Sequence, residues 1–164
     1  MRRYSMQLVC FVAITFLLAS AQESKGTAPM PPGAEYSGMY SFLRDGEFVQ
    51  LTVEEQGHVT GFVSRYGDLE SDRGAFLDHF FKQGKLDGPK LTFTTETVHG
   101  VWFEFAGAVE RGEGKKPGDE AYYVLKGILT EYAIDDAKKT TSRARDVALK
   151  SFPQDAAPAP AKRN

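Results

Sequence analysis

The chain has 164 residues, with 20 basic and 22 acidic side chains, three histidines and one cysteine. Such a mildly acidic chain with interspersed charges has no basic face for nucleic acid or for an anionic membrane, so we expect neither partner. Its length is typical of one domain that buries a hydrophobic core. Because Cys10 is the only cysteine, intrachain disulfides and cysteine-based metal sites are excluded.

The N-terminus has the pattern of a secretory signal peptide. Arg2 and Arg3 precede an apolar run over residues 8–18, and Ala21 ends a small-residue cleavage site. An uncleaved anchor is the alternative, but the run is shorter than the roughly 20 residues that span a bilayer. We therefore predict cleavage after Ala21 and a secreted or periplasmic protein, with no membrane span in the processed chain.

A leader and a three-stranded meander follow. Residues 22–36 are rich in glycine, proline and small polar residues, which predicts a flexible leader. Three alternating segments then predict strands over residues 38–43, 48–55 and 58–66. Asp45-Gly46 between the first two is typical of a tight hairpin turn. In the second strand, the residues predicted to face inward are Val49, Leu51 and Val53.

The middle of the chain predicts a short helix and a hairpin. Ser71 or Asp72 would cap the helix, and Gly84 would end it. Its apolar stripe would consist of Phe76, Leu77, Phe80 and Phe81. Residues 91–109 alternate about a turn at His99-Gly100 and predict the central hairpin. The bulky side chains that share one face of this hairpin are Leu91, Phe93, Val101, Phe103, Phe105 and Val109.

The C-terminal part predicts one more strand and little else. Residues 121–132 are apolar on both faces, which is typical of a central strand. Residues 133–152 carry a thin apolar stripe and predict at most a marginal surface helix, and residues 153–164 predict a disordered tail. The expected fold is mainly β: an antiparallel meander of about six strands over residues 37–132, forming a small β-barrel or curled sheet with one short helix.

Three features resemble the small up-and-down β-barrels of the lipocalin and avidin type. They are a Gly-x-aromatic start at Gly38 and Tyr40, a Gly-x-x-x-Gly-Phe strand ending at Phe62, and Trp102 in a late aromatic strand. The pattern is also similar to secreted bacterial domains of unassigned function. Tyr40 stands where lipocalins carry Trp, and those barrels close with eight strands. The resemblance therefore implies a fold, and it carries no ligand chemistry to individual residues.

The aromatic residues predict a ligand pocket. An aromatic wall with a few polar tips is typical of small-molecule sites. The wall would be formed by Trp102, Tyr40, Phe42 and Tyr122, with Glu104 and Arg65 as polar contacts. The alternative places Trp102 beneath the short helix, as part of a second small core.

The sequence offers little catalytic or metal-binding chemistry. The weak metal candidates are His79, His99 and Asp78, which would converge only if the short helix docks over the central hairpin; no zinc-binding spacing is present. His58 is expected in a surface turn. Ser64 and Ser71 lack the context of a catalytic serine. We expect no cofactor.

The sequence leads to three hypotheses about function. The favoured hypothesis is a secreted binding module for a small, partly apolar ligand. The second is a structural or interaction protein of the cell envelope with a solid core, in which Trp102 lies at a contact. The third is a hydrolase-type enzyme that uses His79, His99 and an acid.

Overall fold

The structure is a computed structural model that describes residues 30–68, 70–135 and 137–154. The predicted signal peptide, the predicted leader up to residue 29 and the predicted tail from residue 155 lie outside the described residues. Among the helices of the described part, none has the length and hydropathy needed to cross a membrane.

Eight antiparallel strands form one sheet, and each strand pairs with its neighbours in chain order. The strands are β1 (Gly38–Ser41), β2 (Phe48–Val53), β3 (Val59–Tyr66), β4 (Phe76–Asp87), β5 (Lys90–Thr95), β6 (Val101–Arg111), β7 (Tyr123–Ile134) and β8 (Thr140–Lys150). The predicted mainly β, antiparallel meander is therefore confirmed. The described helices are short 3-10 turns at Ala34–Tyr36, Glu55–Gly57 and Glu70–Asp72.

The helix predicted over residues 71–84 is wrong, because this part of the chain forms most of β4. β4 pairs with β3 from Phe62↔Phe80 to Tyr66↔Phe76. The apolar spacing that suggested a helical stripe arises because both faces of this strand carry aromatic residues. Phe81 lies on the inner face and Phe80 on the outer face, and a β-bulge between Phe81 and Gln83 shifts the register with β5.

The C-terminal helix predicted over residues 133–152 is also wrong. β8 pairs with β7 over eleven residues, from Val124↔Lys150 to Ile134↔Thr140. An edge strand needs few inward apolar residues, and here Leu149 is buried and Val147 is half-buried. The sheet therefore has eight strands and extends to Lys150, beyond the boundary predicted at residue 132.

The sheet is strongly curled, and its first and last strands meet at a seam. Tyr40 and Ser151 form an isolated β-bridge. The amide of Phe152 donates to the carbonyl oxygen of Met39 (2.8 Å), and the amide of Lys150 donates to Ser41 Oγ (2.9 Å). We call these contacts the β1–β8 seam; they give the sheet its half-barrel shape.

Inward side chains from the β1–β2 hairpin and from the β5–β6 hairpin fill the concave side of the sheet. The inward positions predicted on β2 are confirmed, since each is at most 4% exposed, and on β6 Phe103, Phe105 and Val109 are buried and Val101 is half-buried. Phe81, Phe93 and Phe105 form a stack, with ring centroids 4.4 Å and 5.3 Å apart. Dense aromatic packing of this kind makes the interior a solid core.

The predicted leader is structured at its C-terminal end. Ala34–Tyr36 forms a 3-10 turn, and the Tyr36 ring packs edge-on against Tyr123 with centroids 4.9 Å apart. Tyr36 also packs against the core cluster. The prediction of a flexible leader up to Tyr36 is therefore wrong for its last three residues, 34–36.

Candidate functional site

Two of the predicted ligand-wall residues lie inside the core. Tyr40 is 1% exposed, and its hydroxyl donates to the carbonyl oxygen of Tyr36 (2.6 Å). Phe42 packs edge-on against Phe103, with centroids 5.3 Å apart. Both rings therefore contact other core side chains rather than an open pocket.

Trp102 lies on the outer face, away from Tyr40 and Phe42. Its ring stacks on Tyr132, with centroids 4.8 Å apart and planes 4° from parallel. The Tyr132 hydroxyl donates to Glu104 Oε2 (3.0 Å), and this hydrogen bond raises the pKa of Tyr132. The alternative that Trp102 packs beneath a helix is wrong, because that segment is β4.

Tyr122 lies at the opposite end of the sheet from Trp102. It directly precedes Tyr123, which pairs with Arg111 at one end of β6, whereas Trp102 pairs with Tyr132 near the other end. The Arg111 guanidinium lies 3.4 Å from the Tyr122 ring centroid, a close cation–π contact. The structure brings Tyr122 and Tyr40 to one small cavity of about 30 Å³, but it does not assemble the four aromatic residues into one wall.

Arg65 and His79 form a buried polar pair in the interior. Arg65 is 4% exposed and His79 is fully buried. Arg65 Nε donates to His79 Nε2 (3.2 Å). Burial, reinforced by the positive charge of Arg65, lowers the pKa of His79 to about 4. The imidazole is therefore neutral at neutral pH, and because its Nε2 accepts a hydrogen bond, Nδ1 carries the ring proton.

The weak metal candidates are not brought together. Asp78 lies on the outer face and accepts a hydrogen bond from Ser64 Oγ (2.7 Å), whereas His79 points into the interior. His99 is exposed and pairs with Asp72 through Nδ1 and Oδ2 (2.7 Å). Within the described parts of the chain, no three histidine, aspartate, glutamate or cysteine side chains are grouped closely enough to hold a metal ion.

A charged cleft of about 230 Å³ opens at the end of the sheet near Arg65. Asp68 pairs there with Nη1 of Arg65 and with Nη2 of Arg44 (3.1 Å). Partial burial raises the pKa of Asp68, but the bonds to these two arginines outweigh it and hold the pKa below its usual value. The residues that line the charged cleft are Leu43, Arg44, Glu47, Arg65, Asp68, Phe103, Glu131 and Arg145.

The two remaining carboxylates of the charged cleft differ in role. Glu47 is buried and accepts hydrogen bonds from the backbone amides of Arg44 and Tyr66, each 3.1 Å long. It therefore anchors the β1–β2 turn to the end of β3. Glu131 receives a single bond from Arg145 Nη2 (2.7 Å), and Arg145 Nε is buried without a hydrogen-bond partner among the described residues.

An outer aromatic strip crosses β2, β3 and β4 on the convex side of the sheet. Ring centroids are 5.8 Å apart for Phe48 and Phe62, 5.5 Å for Phe62 and Phe80, and 4.5 Å for Tyr66 and Phe76. Phe76 is 47% exposed and Phe80 59% exposed. The outer aromatic strip consists of Phe48, Phe62, Tyr66, Phe76 and Phe80.

The sequence contains some of the signals for the outer aromatic strip and for the charged cleft. Phe48 and Phe62 alternate with inward valines, which places them on the outer face. Phe76 and Phe80 lie beside them only because β4 is a strand, which its sequence pattern does not predict. The Arg-x-x-acid spacing recurs at Arg44–Glu47 and Arg65–Asp68. Both pairs lie at the C-terminal ends of odd-numbered strands, and in an antiparallel meander such strands end on the same side.

Comparison with known proteins does not identify a relative. No family model matches the chain, and a search of curated proteins gives no significant match. The class is therefore defined by architecture: a curled antiparallel sheet with a filled interior, an outer aromatic strip and a charged cleft at one end.

Proposed function

We propose that the protein is an exported interaction module, whose solid β core holds the outer aromatic strip ready to bind an apolar surface of a partner protein. The observation that carries the proposal is the exposure of Phe80 and Phe76 in two neighbouring groups of ring contacts on the same face of the sheet. Exposed aromatic rings grouped on one face are typical of interaction sites, and aromatic anchors dominate the binding energy of many interfaces.

The filled interior supports this function over a small-ligand carrier. Side chains from the β1–β2 and β5–β6 hairpins occupy the concave side of the sheet. Of the aromatic residues expected to line a pocket, some lie in the core and some outside it. Export remains part of the proposal and rests on the signal peptide predicted over residues 1–21. N-terminal sequencing of the protein recovered from its native host tests it, with cleavage after Ala21 as the expected result.

The rings form an anchor surface of two groups, with a polar pair between them. Phe80 packs against Phe62, and Phe62 packs against Phe48, so the rings hold one another in place across three strands. Asp78 and Ser64, joined by a hydrogen bond, lie between this group and the Tyr66–Phe76 pair in the register of β3 and β4. Because the rings are already ordered by these contacts, binding costs little side-chain entropy.

Site-specific photo-cross-linking in the native host tests the proposal. The photoreactive residue replaces Phe80, and for the control it replaces Ile128, an apolar side chain of similar exposure on β7 (52%). We expect one discrete cross-linked protein from position 80 and none from position 128. The partner, once identified and purified, should bind the wild-type chain and bind Phe80→Ser at least tenfold more weakly, since an aromatic anchor contributes more than about 1.4 kcal/mol.

Two results would overturn this function. Equal binding of the purified partner by wild type and Phe80→Ser would remove the outer aromatic strip from the interface. A cross-link only to a second copy of the chain, with a matching dimer in light scattering, would show that the strip is a self-association surface instead.

A further inference from the structure

We infer that the open edge of β8, the backbone of residues 140–148, binds an extended segment of another protein as an additional antiparallel strand. The segment would carry an apolar residue opposite Val147 and an acidic residue opposite Arg143. This surface is separate from the outer aromatic strip, and the inference does not depend on the function proposed for that strip.

The edge is open because β1 is much shorter than β8. β1 has four residues and β8 has eleven. The contacts of the β1–β8 seam reach β8 only at Lys150 and then involve Ser151 and Phe152 beyond its end. In the described part of the chain, no group forms a hydrogen bond to residues 140–148 from the side that faces away from β7.

Every second residue of the edge directs its backbone amide and carbonyl groups away from the sheet. The amide of Ser151 donates to the carbonyl oxygen of Tyr123 (2.9 Å), whereas the amide of Lys150 donates to Ser41 on the opposite side. Because these directions alternate along an antiparallel strand, the even-numbered residues of β8 point away from β7. The open backbone groups therefore belong to Thr140, Ser142, Ala144, Asp146 and Ala148.

The usual structural barriers to strand addition are absent from β8. Proteins protect sheet edges by keeping the edge strand short, by bulges, by proline or by charged side chains. β8 contains no proline and pairs with β7 in a continuous register of eleven residues. Its charged side chains are the remaining protection, and they decide which segment can pair with the edge.

The charges on β8 favour an acidic segment. The strand carries Arg143, Arg145 and Lys150 but only one acidic residue, Asp146. Arg145 is bonded to Glu131. Arg143 is exposed and takes part in none of the ion pairs that the described residues form. Opposite charges on directly opposed residues of neighbouring strands stabilise their pairing.

Two other occupants fit the edge less well. A second copy of β8, paired antiparallel over the whole edge, would place Arg143 of one copy opposite Arg145 of the other, and directly opposed like charges destabilise a strand pair. The C-terminal residues 155–164 of the same chain include Pro158 and Pro160, which lack the amide hydrogen that a strand ladder uses. A segment of another protein meets neither obstacle, and strand addition to a sheet edge is a common mode of peptide recognition.

Amide hydrogen exchange followed by NMR tests the inference, with the capped peptide Thr-Val-Thr-Thr-Thr-Glu-Thr as the probe. Paired antiparallel, the probe places its valine opposite Val147 and its glutamate opposite Arg143. We expect saturable binding at millimolar concentrations. At saturation, exchange should slow at least tenfold at the amides of Ser142, Ala144 and Asp146. The odd-numbered amides, which already bond to β7, should not change.

A matched pair of variants at Ala144 separates edge pairing from other binding. Proline removes the edge amide hydrogen but leaves the ladder with β7 intact, because the amide of Ala144 points away from β7. We expect Ala144→Pro to bind the probe at least tenfold more weakly than Ala144→Val. Unchanged exchange at the odd-numbered amides would show that both variants are folded.

The charge at Arg143 is tested separately. The wild type should bind the probe several-fold more tightly than the same peptide with lysine in place of glutamate. Arg143→Gln should remove this preference, and it retains every backbone group of the edge.

Each contrary result overturns the inference. Equal binding of the probe by Ala144→Pro and Ala144→Val would show that the edge backbone is not the site. Equal binding of the glutamate and lysine peptides by the wild type would remove the acidic partner. A lack of saturable binding would refute strand addition altogether. Dimerisation of the peptide-free protein that is lost in Ala144→Pro would assign the edge to a second copy instead.

Discussion

Replacing His79 by glutamine should remove a large part of the acid sensitivity of the fold. The glutamine side-chain oxygen keeps an acceptor for Arg65 Nε, whereas the titrating ring is lost. In the folded protein, burial and Arg65 lower the pKa of His79 from 6.5 to about 4. Between these values the unfolded chain binds a proton that the folded chain does not.

The sign and size of the effect follow from this difference. Above the unfolded pKa, the imidazole is neutral in both states and stability does not depend on its titration. As the pH falls toward the folded pKa, the free energy of unfolding decreases by about 1.4 kcal/mol per pH unit, to a total loss of about 3 kcal/mol. This loss should be absent from His79→Gln.

Urea unfolding at about pH 7.5 and about pH 4.5 measures the effect. We expect the wild type to lose about 2–3 kcal/mol more than His79→Gln between the two conditions. A uniform destabilisation by the substitution does not affect this comparison. His58→Gln, at a 58% exposed side chain, controls for the loss of an exposed imidazole. Parallel losses in wild type and His79→Gln would refute the reasoning.

Three further substitutions test the packing of the fold through urea unfolding at neutral pH. Gly61→Ala should lower the free energy of unfolding by at least about 2 kcal/mol, because the φ of Gly61 is +151° and a Cβ would lie 2.0 Å from a β2 carbonyl oxygen. Gly88→Ala should lower it by only about 1 kcal/mol, because Gly88 has a positive φ but open space around it. Glu47→Ala should lower the free energy of unfolding by about 2–3 kcal/mol, since it leaves the part-buried amide of Tyr66 without its acceptor. Phe105→Ala should cost about 4 kcal/mol through the cavity left in the ring stack. Losses below about 1 kcal/mol for Gly61→Ala, Glu47→Ala or Phe105→Ala would contradict these assignments.

The sequence predicted those strands whose two faces differ in polarity. β2 and β6 alternate strictly, and their inward residues are confirmed. The outer face of β4 is as aromatic as its inner face, so its sequence lacks the alternation of polar and apolar residues that marks a strand and predicts a helix instead. The sequence of β8 predicts a weak helix because an edge strand buries few side chains. In both segments the neighbouring strand, and not the local pattern, determines the structure.

The candidate sites could be predicted less well than the fold. Arg65 was singled out as a polar contact and does line the charged cleft, but Arg145 and Glu131 join it only because β7 and β8 pair across that end of the sheet. Trp102 and Tyr40 were expected together, although strand geometry places them on opposite faces. The resemblance to lipocalins and avidins, and the expected export, stay predictions.

The β1–β8 seam brings the two ends of the eight-stranded sheet together. Gln154 Nε2 donates to the carbonyl oxygen of Ser37 (3.4 Å), so two residues far apart in sequence are neighbours in space. A short linker between them would convert the most distant strand contact into a local hairpin. New termini at the exposed β4–β5 turn would then give a circular permutant with every strand partner retained.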